Sequence, residues 1–214
     1  VMFSVPYFAG PLLDVAKRYG IKVNFKTNLR AVNGDEKMAV FDVQQDDGSV
    51  KQVEKKFDMI HVSPPQSAPD VIKRSPLAND AGWVDVDQNS MQHKRYANVF
   101  ALGDAGSTPN SKTAAAVRKQ APVVVTNALA TLRRDHGSGA YDGYASCPLT
   151  TAYGKVMLAE FCYGGKVTPT FPLDPKVERR SMWWLKTKFL PYLYWNHMLK
   201  GKMFDILHKE WRST

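Results

Sequence analysis

The stretch Tyr96–Ala116, YANVFALGDAGSTPNSKTAAA, constrains the fold of this chain more than any other. An apolar run from Val99 to Leu102 ends at Gly103-Asp104, a small polar loop follows, and a helix is expected to open near Thr113. Glycine lets a backbone approach a ligand closely. An aspartate beside it accepts hydrogen bonds from hydroxyls, and the free N–H groups of a helix start favour anions. The order apolar strand, Gly-Asp, helix start therefore suits a flavin nucleotide. The run also has a bland reading, since short apolar strands ending in a turn occur in any α/β domain.

Composition narrows the alternatives. The chain has 214 residues, enough for one or two domains with a real core. No apolar run reaches the eighteen or so residues of a membrane span. The first residues, VMFSVPYFAGPLLDV, lack the basic start of a secretory leader and read as the interior of a larger protein. A net charge of +9 admits nucleic acid, anionic lipid or an acidic partner. There is no nucleic-acid motif, so none is expected as a partner, and none of the five histidines has a partner at metal-ligand spacing. With only Cys147 and Cys162, a disulfide framework is not the architecture.

Pattern reading gives the following elements. Val1–Val5 is expected as a strand, Ala9–Tyr19 as a helix closed by Gly20, and Ile21–Phe25 as an alternating strand, together a βαβ-like unit. Ala39–Gln44 and Val50–Val53 flank Asp47-Gly48, a hairpin signal. Asp58–Val62 reads as a strand stopped by Pro64-Pro65, and Trp83–Asp87 alternates. Thr113–Arg134 is helical in composition but contains Pro122, which predicts a kink or two helices. Cys147–Leu149, Lys155–Tyr163 and Lys166–Phe171 read as strands, with Gly164-Gly165 as a turn. Beyond residue 180 the chain carries four of its five tryptophans, with Phe189, Tyr192, Tyr194, Met198 and Phe204 among Lys186, Lys188, Lys200, Lys202, Lys209 and Arg212. Two short helices broken at Pro191 are expected there. Aromatics mixed with lysines suit a membrane–water interface; equally, they could pack on a soluble enzyme or a dimer partner.

Five segments in one order carry a family resemblance: FSVPYFAGPLLDVAKRYGIKVNF, HVSPPQSAPDVI, AGWVDVD, YANVFALGDAGSTPNSKTAAA and YDGYASCPLTTAYGKVMLAEF. The chain resembles the C-terminal half of a flavoprotein of the disulfide-reductase-like superfamily, and within it the sulfide:quinone oxidoreductases. The last residues, KMFDILHKEWRST, fall outside the resemblance.

That resemblance implies an α/β fold, with Rossmann-like fragments of two dinucleotide-binding domains, a C-terminal β-hairpin and amphipathic helices. Residues 1–76 would complete the second such domain with its β-meander. Residues 77–136 would end the FAD-binding domain, and 137–214 would form the membrane and quinone side. The whole enzyme would oxidise sulfide at a redox-active cysteine and pass electrons through FAD to a membrane quinone, as a peripheral protein of a bacterial plasma membrane or a mitochondrial inner membrane. Cys147, in the SCPL context, is identified by the resemblance as the redox cysteine; on its own, a lone cysteine before proline is more often structural. Gly103, Asp104, Lys112, Thr113, Ala114 and Ala115 are expected around the flavin, although Lys112 alone reads as a solvated lysine at a helix start. Some relatives carry cysteine after the Gly-Asp, where this chain has Ala105, and Cys162 is expected to pack. Asp85 and Asp87 are read as structural. No G-x-G-x-x-G occurs, so the chain alone is expected to be inactive and to bind FAD weakly without the N-terminal half, and it could self-associate. The rival readings are a type II NADH:quinone dehydrogenase, in which Cys147 would be inert, and a non-catalytic basic module that docks on membranes.

Overall fold

The computed structural model describes residues 2–202 and divides the chain into two compact units. The unit comprising Leu13–Gln66 is dominated by an antiparallel meander of β1 (Thr27–Asn33), β2 (Met38–Gln44) and β3 (Val50–Lys56), in the order β1-β2-β3. The β2–β3 turn forms where Asp47-Gly48 predicts it. Gly48 sits at φ +85°, and the Asp47 carboxylate accepts from the Ser49 amide and hydroxyl. A bulge between Leu29 and Ala31 shifts the β1–β2 register. Both edges carry charge, such as Arg30 on β1 and Lys51, Glu54, Lys55 and Lys56 on β3, which discourages pairing with another sheet.

The expected βαβ start is not formed. Residues 2–5 are irregular, and helix α1 spans Pro6–Arg18, its first part belonging to the other unit. Gly20 at φ +65° closes α1: its N–H bonds Lys17 and the Ile21 N–H reaches back to Ala16. Ile21 is thus used in the helix cap, and the alternating Ile21, Val23 and Phe25 form no strand; Ile21 is 58 % and Phe25 48 % exposed. Asp58–Val62 is also irregular.

The second unit, Met2–Leu12 with the chain from Ser67 onward, holds the main core. After a single turn, α2 (Asp70–Lys73), the chain from Leu77 to Ser107 is a folded web without regular strands. Isolated bridges join Ala78 to Val84, Val84 to Gly106, Val86 to His93 and Gln92 to Phe100. The expected strands at Trp83–Asp87 and Val99–Leu102 are therefore single pairings.

Helix α3 (Ala114–Leu132) follows, and it runs through Pro122 as one helix. Proline inside a helix costs about 3 kcal/mol or more. The buried stripe Ala116, Gln120, Val123 and Asn127 offsets that, packing the helix on both sides of the proline.

The hairpin β4 (Ala145–Ala152) and β5 (Lys155–Phe161) turns at Tyr153-Gly154 and is covered on both faces. Ala145, Cys147, Leu149, Met157, Ala159 and Phe161 face the main core with Phe8, Met91, Val123 and Tyr141. Val156 and Leu158 face a second cluster with Met182, Phe171 and Trp183. Lys166–Phe171 adds one bridge, Phe161 to Val167, in place of a strand. The C-terminal helices are α4 (Arg180–Trp184), a π-helical turn at Leu185–Phe189, and α5 (Leu190–Asn196). Helical backbone runs without a break from Arg180 through the π-helical turn to Asn196, so Pro191, just after that turn, does not split it into two separate helices. Phe204, Lys209 and Arg212 lie outside the described residues.

Candidate functional site around the Gly103–Asp104 turn and Cys147

Gly103, Asp104 and Ala105 make one tight turn, with Gly103 at φ +64°. That conformation costs an L-residue roughly 1–2 kcal/mol, and a Cβ there would also meet Val117 at 3.0 Å. Glycine is required here by geometry. The Gly103 N–H is buried and donates to Gln120 Oε1 at 2.7 Å, so α3 fixes the turn from within. Asp104 is exposed.

The turn is also stitched to the preceding web. Val84 N–H donates to the Ala105 carbonyl, and Ser107 N–H to that of Val84, both at 3.0 Å. Lys112 lies part-buried beside it. Its ammonium donates to the Gly106 carbonyl at 2.5 Å, with that of Gly103 at 3.5 Å, and stands 4.3 Å from the centre of the Trp83 ring. Burial lowers the lysine's pKa, and the nearby Asp104 charge opposes that shift.

Thr113 caps α3. Its backbone is extended and its hydroxyl accepts from the Ala116 N–H at 3.2 Å. The N–H groups of Ala114 and Ala115 precede any intrahelical partner and sit at the positive end of the helix dipole. Asn110, in the same loop, donates to the Tyr141 hydroxyl at 2.8 Å, while its own Oδ1 is buried with no hydrogen-bond partner among the described residues. A glycine turn, a free carboxylate, a capped helix start and an unused acceptor thus occur within one loop. The set suits a ligand that carries both hydroxyl or N–H donors and anionic oxygens.

Cys147 lies on β4 opposite Ala159, part-buried on the face that meets the main core, the core on which Ala105 of the turn also packs. Both thiols are free. Burial pushes the Cys147 thiol above its ordinary range. The next residue, Pro148, accepts at its carbonyl from the Lys186 ammonium at 2.9 Å, which ties the π-helical turn to this strand. Cys162 bonds Asp142 and Thr168, each at 3.4 Å, beyond the end of β5. The β4–β5 register sets Cys147 against Ala159 and not against Cys162, so the two cysteines are not cross-strand partners.

Sequence reasoning did not single out Gln120, Trp83 or Asn110. A signal for Gln120 exists: it falls with Asn127 on the stripe 116, 120, 123, 127, and a polar residue on a buried stripe must have a partner. Trp83 and Asn110 carry no local signal, because their partners come from the fold. Asp85 pairs with Lys94 at 2.8 Å, and Asp87 caps the Asn89–Ser90 turn. Among the described residues there is no metal-holding cluster, and no helix is long and apolar enough to cross a membrane.

No family model matches the chain. Its sequence is 44 % identical over 200 residues to the mitochondrial sulfide:quinone oxidoreductase of Mus musculus, covering 94 % of this chain and 44 % of that protein. Over nearly its whole length the chain matches part of a sulfide:quinone oxidoreductase. The mitochondrial enzyme of the same name from Dictyostelium discoideum is 44 % identical over 209 residues, covering 95 % of this chain and 44 % of that protein. That of Schizosaccharomyces pombe is 39 % identical over 211 residues, covering 95 % and 45 %. The family resemblance carried by the five segments is therefore upheld, and the chain spans less than half the length of these relatives. The fold matches a chain in the cryo-EM structure of Tetrahymena thermophila mitochondrial ATP synthase with a TM-score of 0.74 at 24 % identity, covering 89 % of this chain and 46 % of that one. At that identity the likeness speaks for the fold alone.

Proposed function

We propose that this chain is the cofactor- and cysteine-bearing part of a sulfide:quinone oxidoreductase, in which sulfide is oxidised at Cys147 and the electrons reach a quinone. The observation that carries the reading is the convergence of the Gly103–Asp104 turn, the α3 start and Cys147 on one core, in a chain 44 % identical to enzymes of that name. In this reading residues 1–76 complete a second Rossmann-like domain, 77–136 complete the FAD-binding domain, and 137–214 form the quinone side.

The loop fits FAD. Asp104 would accept from ribityl hydroxyls, and Gly103 would allow close approach. The N–H groups of Ala114 and Ala115, at the helix start capped by Thr113, would favour anionic oxygens of the bound group, with the Lys112 ammonium beside the turn. The unpartnered Asn110 Oδ1 offers an acceptor to a ligand N–H. When bound, FAD would supply a two-electron acceptor.

Cys147 would share a disulfide or sulfur bridge with a cysteine other than Cys162, which the β4–β5 register does not set against it. Hydrosulfide attack on the bridge forms one S–S bond and breaks another: a persulfide stays on the attacked sulfur, and the other leaves as thiolate.

Quinones are lipid-soluble, and the C-terminal helices expose Trp184, Tyr192, Tyr194, Trp195 and Leu199 near Lys188 and Lys200. We assign them to a membrane-surface anchor beside the quinone entrance, on a peripheral protein of the mitochondrial inner membrane or a bacterial plasma membrane. The test is to assay the complete enzyme with sulfide and with NADH as donors to a short-chain quinone. Sulfide-driven reduction is expected; reduction by NADH alone would replace this reading with a type II NADH dehydrogenase.

A further inference from the structure

Lys112 is a cation hydrogen-bonded to the Gly103–Gly106 turn, and the obvious role for it is to touch the bound group directly. Its hydrogen bonds run elsewhere. The ammonium is spent on the carbonyl of Gly106, reaches that of Gly103, and lies over the face of Trp83. Trp83 is itself next to Val84, whose backbone brackets the same turn by bonding Ala105 and Ser107. The turn is thus held from two directions by neighbouring features of one segment: a backbone clamp from Val84, and a cation clipped between the turn's carbonyls and the indole of Trp83.

We infer that Lys112 and Trp83 together form a brace that sets the Gly103–Gly106 turn, so that Lys112 is a positioning residue acting through the turn and not a direct ligand of the cofactor. The inference deepens the reading of this loop as the FAD cradle, and it rests on that reading only for its second readout below.

An ammonium has three donors. Here they are directed at two carbonyls, while the remaining approach is covered by an aromatic face. Cation–π pairs gain strength when desolvated. Burial lowers the lysine's pKa, which agrees with an ammonium withdrawn from solvent into this clip. Removing the cation leaves two carbonyls without their shared donor; removing the indole reopens the ammonium to water. Either change should loosen the same four residues. Because the two groups act on one another, losing both should cost little more than losing one.

The experiment uses the full chain without added flavin, in wild-type form and as Lys112→Met, Trp83→Leu and the double variant. Amide hydrogen exchange is followed at Val84, Gly103 and Ser107. Each single change is expected to speed exchange there by roughly threefold to thirtyfold, the span of a partly desolvated cation–π contact. The double variant should match the faster single within about twofold. Trp83→Phe and Lys112→Arg, which keep an aromatic face or a cation, should retain most of the protection, and they serve if the harsher variants do not fold. Exchange unchanged by Trp83→Leu, or rates that multiply in the double variant, would overturn the brace.

A second readout is taken on the complete enzyme. Both single variants should weaken FAD binding by the same factor and leave the absorption spectrum of bound flavin unaltered. A spectral shift caused by Lys112→Met but not by Trp83→Leu would make Lys112 a direct ligand and defeat the inference. If the wild-type enzyme bound no flavin, the proposed function would fail, while the exchange measurement would still decide on the brace.

Discussion

Replacing Gln120 by leucine tests the claim that α3 builds the Gly103 turn from inside. Gln120 is 1 % exposed, so its side chain is sealed in the core. Its Oε1 is the acceptor of the Gly103 N–H at 2.7 Å, and its amide also bonds the Tyr141 side chain. Leucine nearly matches the volume of glutamine, so the cavity term is small. What is lost is the acceptor: the Gly103 N–H stays buried without a partner, which costs about 1–3 kcal/mol. Tyr141 loses less, because it still donates to the Tyr144 carbonyl at 2.6 Å and still accepts from Asn110 at 2.8 Å. The net expectation is a destabilisation of about 1–3 kcal/mol, read by urea unfolding followed by circular dichroism. For a chain of this size each kcal/mol lowers Tm by roughly 2–4 °C. A change of less than about 0.5 kcal/mol, the range of an uninvolved surface site, would refute the reasoning.

Three further expectations follow from single features. Gly143→Ala should destabilise by more than about 2 kcal/mol, because Gly143 sits at φ +86° and a Cβ would fall 2.3 Å from the Tyr163 ring; Gly154→Ala, at φ +77° with open space around it, should cost only roughly 1 kcal/mol in the same assay. Burial raises the pKa of Cys147 above 9.0 and those of Tyr141, Tyr144 and Tyr163 above 10.0. The unfolded chain therefore loses these protons first as pH rises, so it binds fewer protons than the native state, and stability should fall progressively above about pH 9. Stability that is flat or rising from pH 9 to pH 11 in denaturant titrations would contradict that sign. For the helical surface, Trp184→Ser with Trp195→Ser should weaken sedimentation with anionic liposomes severalfold; equal binding by wild type and variant would remove these residues from any membrane contact.

The elements legible from sequence were those whose signal is local. Asp47-Gly48 dictates a hairpin because glycine must take the positive φ and aspartate can bond its own turn, and the β2–β3 pair formed around it. Thr113 announced the α3 start through the preference of a threonine hydroxyl for an open N–H. The misread elements are those where tertiary contact overrides local preference. Alternation at Ile21, Val23 and Phe25 is too short to separate a strand from a helix exit, and the Ile21 N–H is consumed by the cap of α1. Pro122 predicts a kink or two helices; α3 is one helix, which the stripe running from Ala116 to Asn127 holds together. In the candidate site, Gly103, Asp104, Lys112 and Thr113 were legible as a run of letters. Gln120 and Trp83 were not, because what matters about them is which distant backbone they hold.

The central claim is that the thiol of Cys147 carries the sulfur chemistry. The direct measurement is sulfide-dependent quinone reduction by the complete enzyme bearing Cys147→Ser, with its flavin content recorded alongside. The account predicts that turnover falls by at least about a thousandfold while flavin occupancy stays at the wild-type level. Turnover within a few-fold of wild type at full flavin occupancy would contradict it.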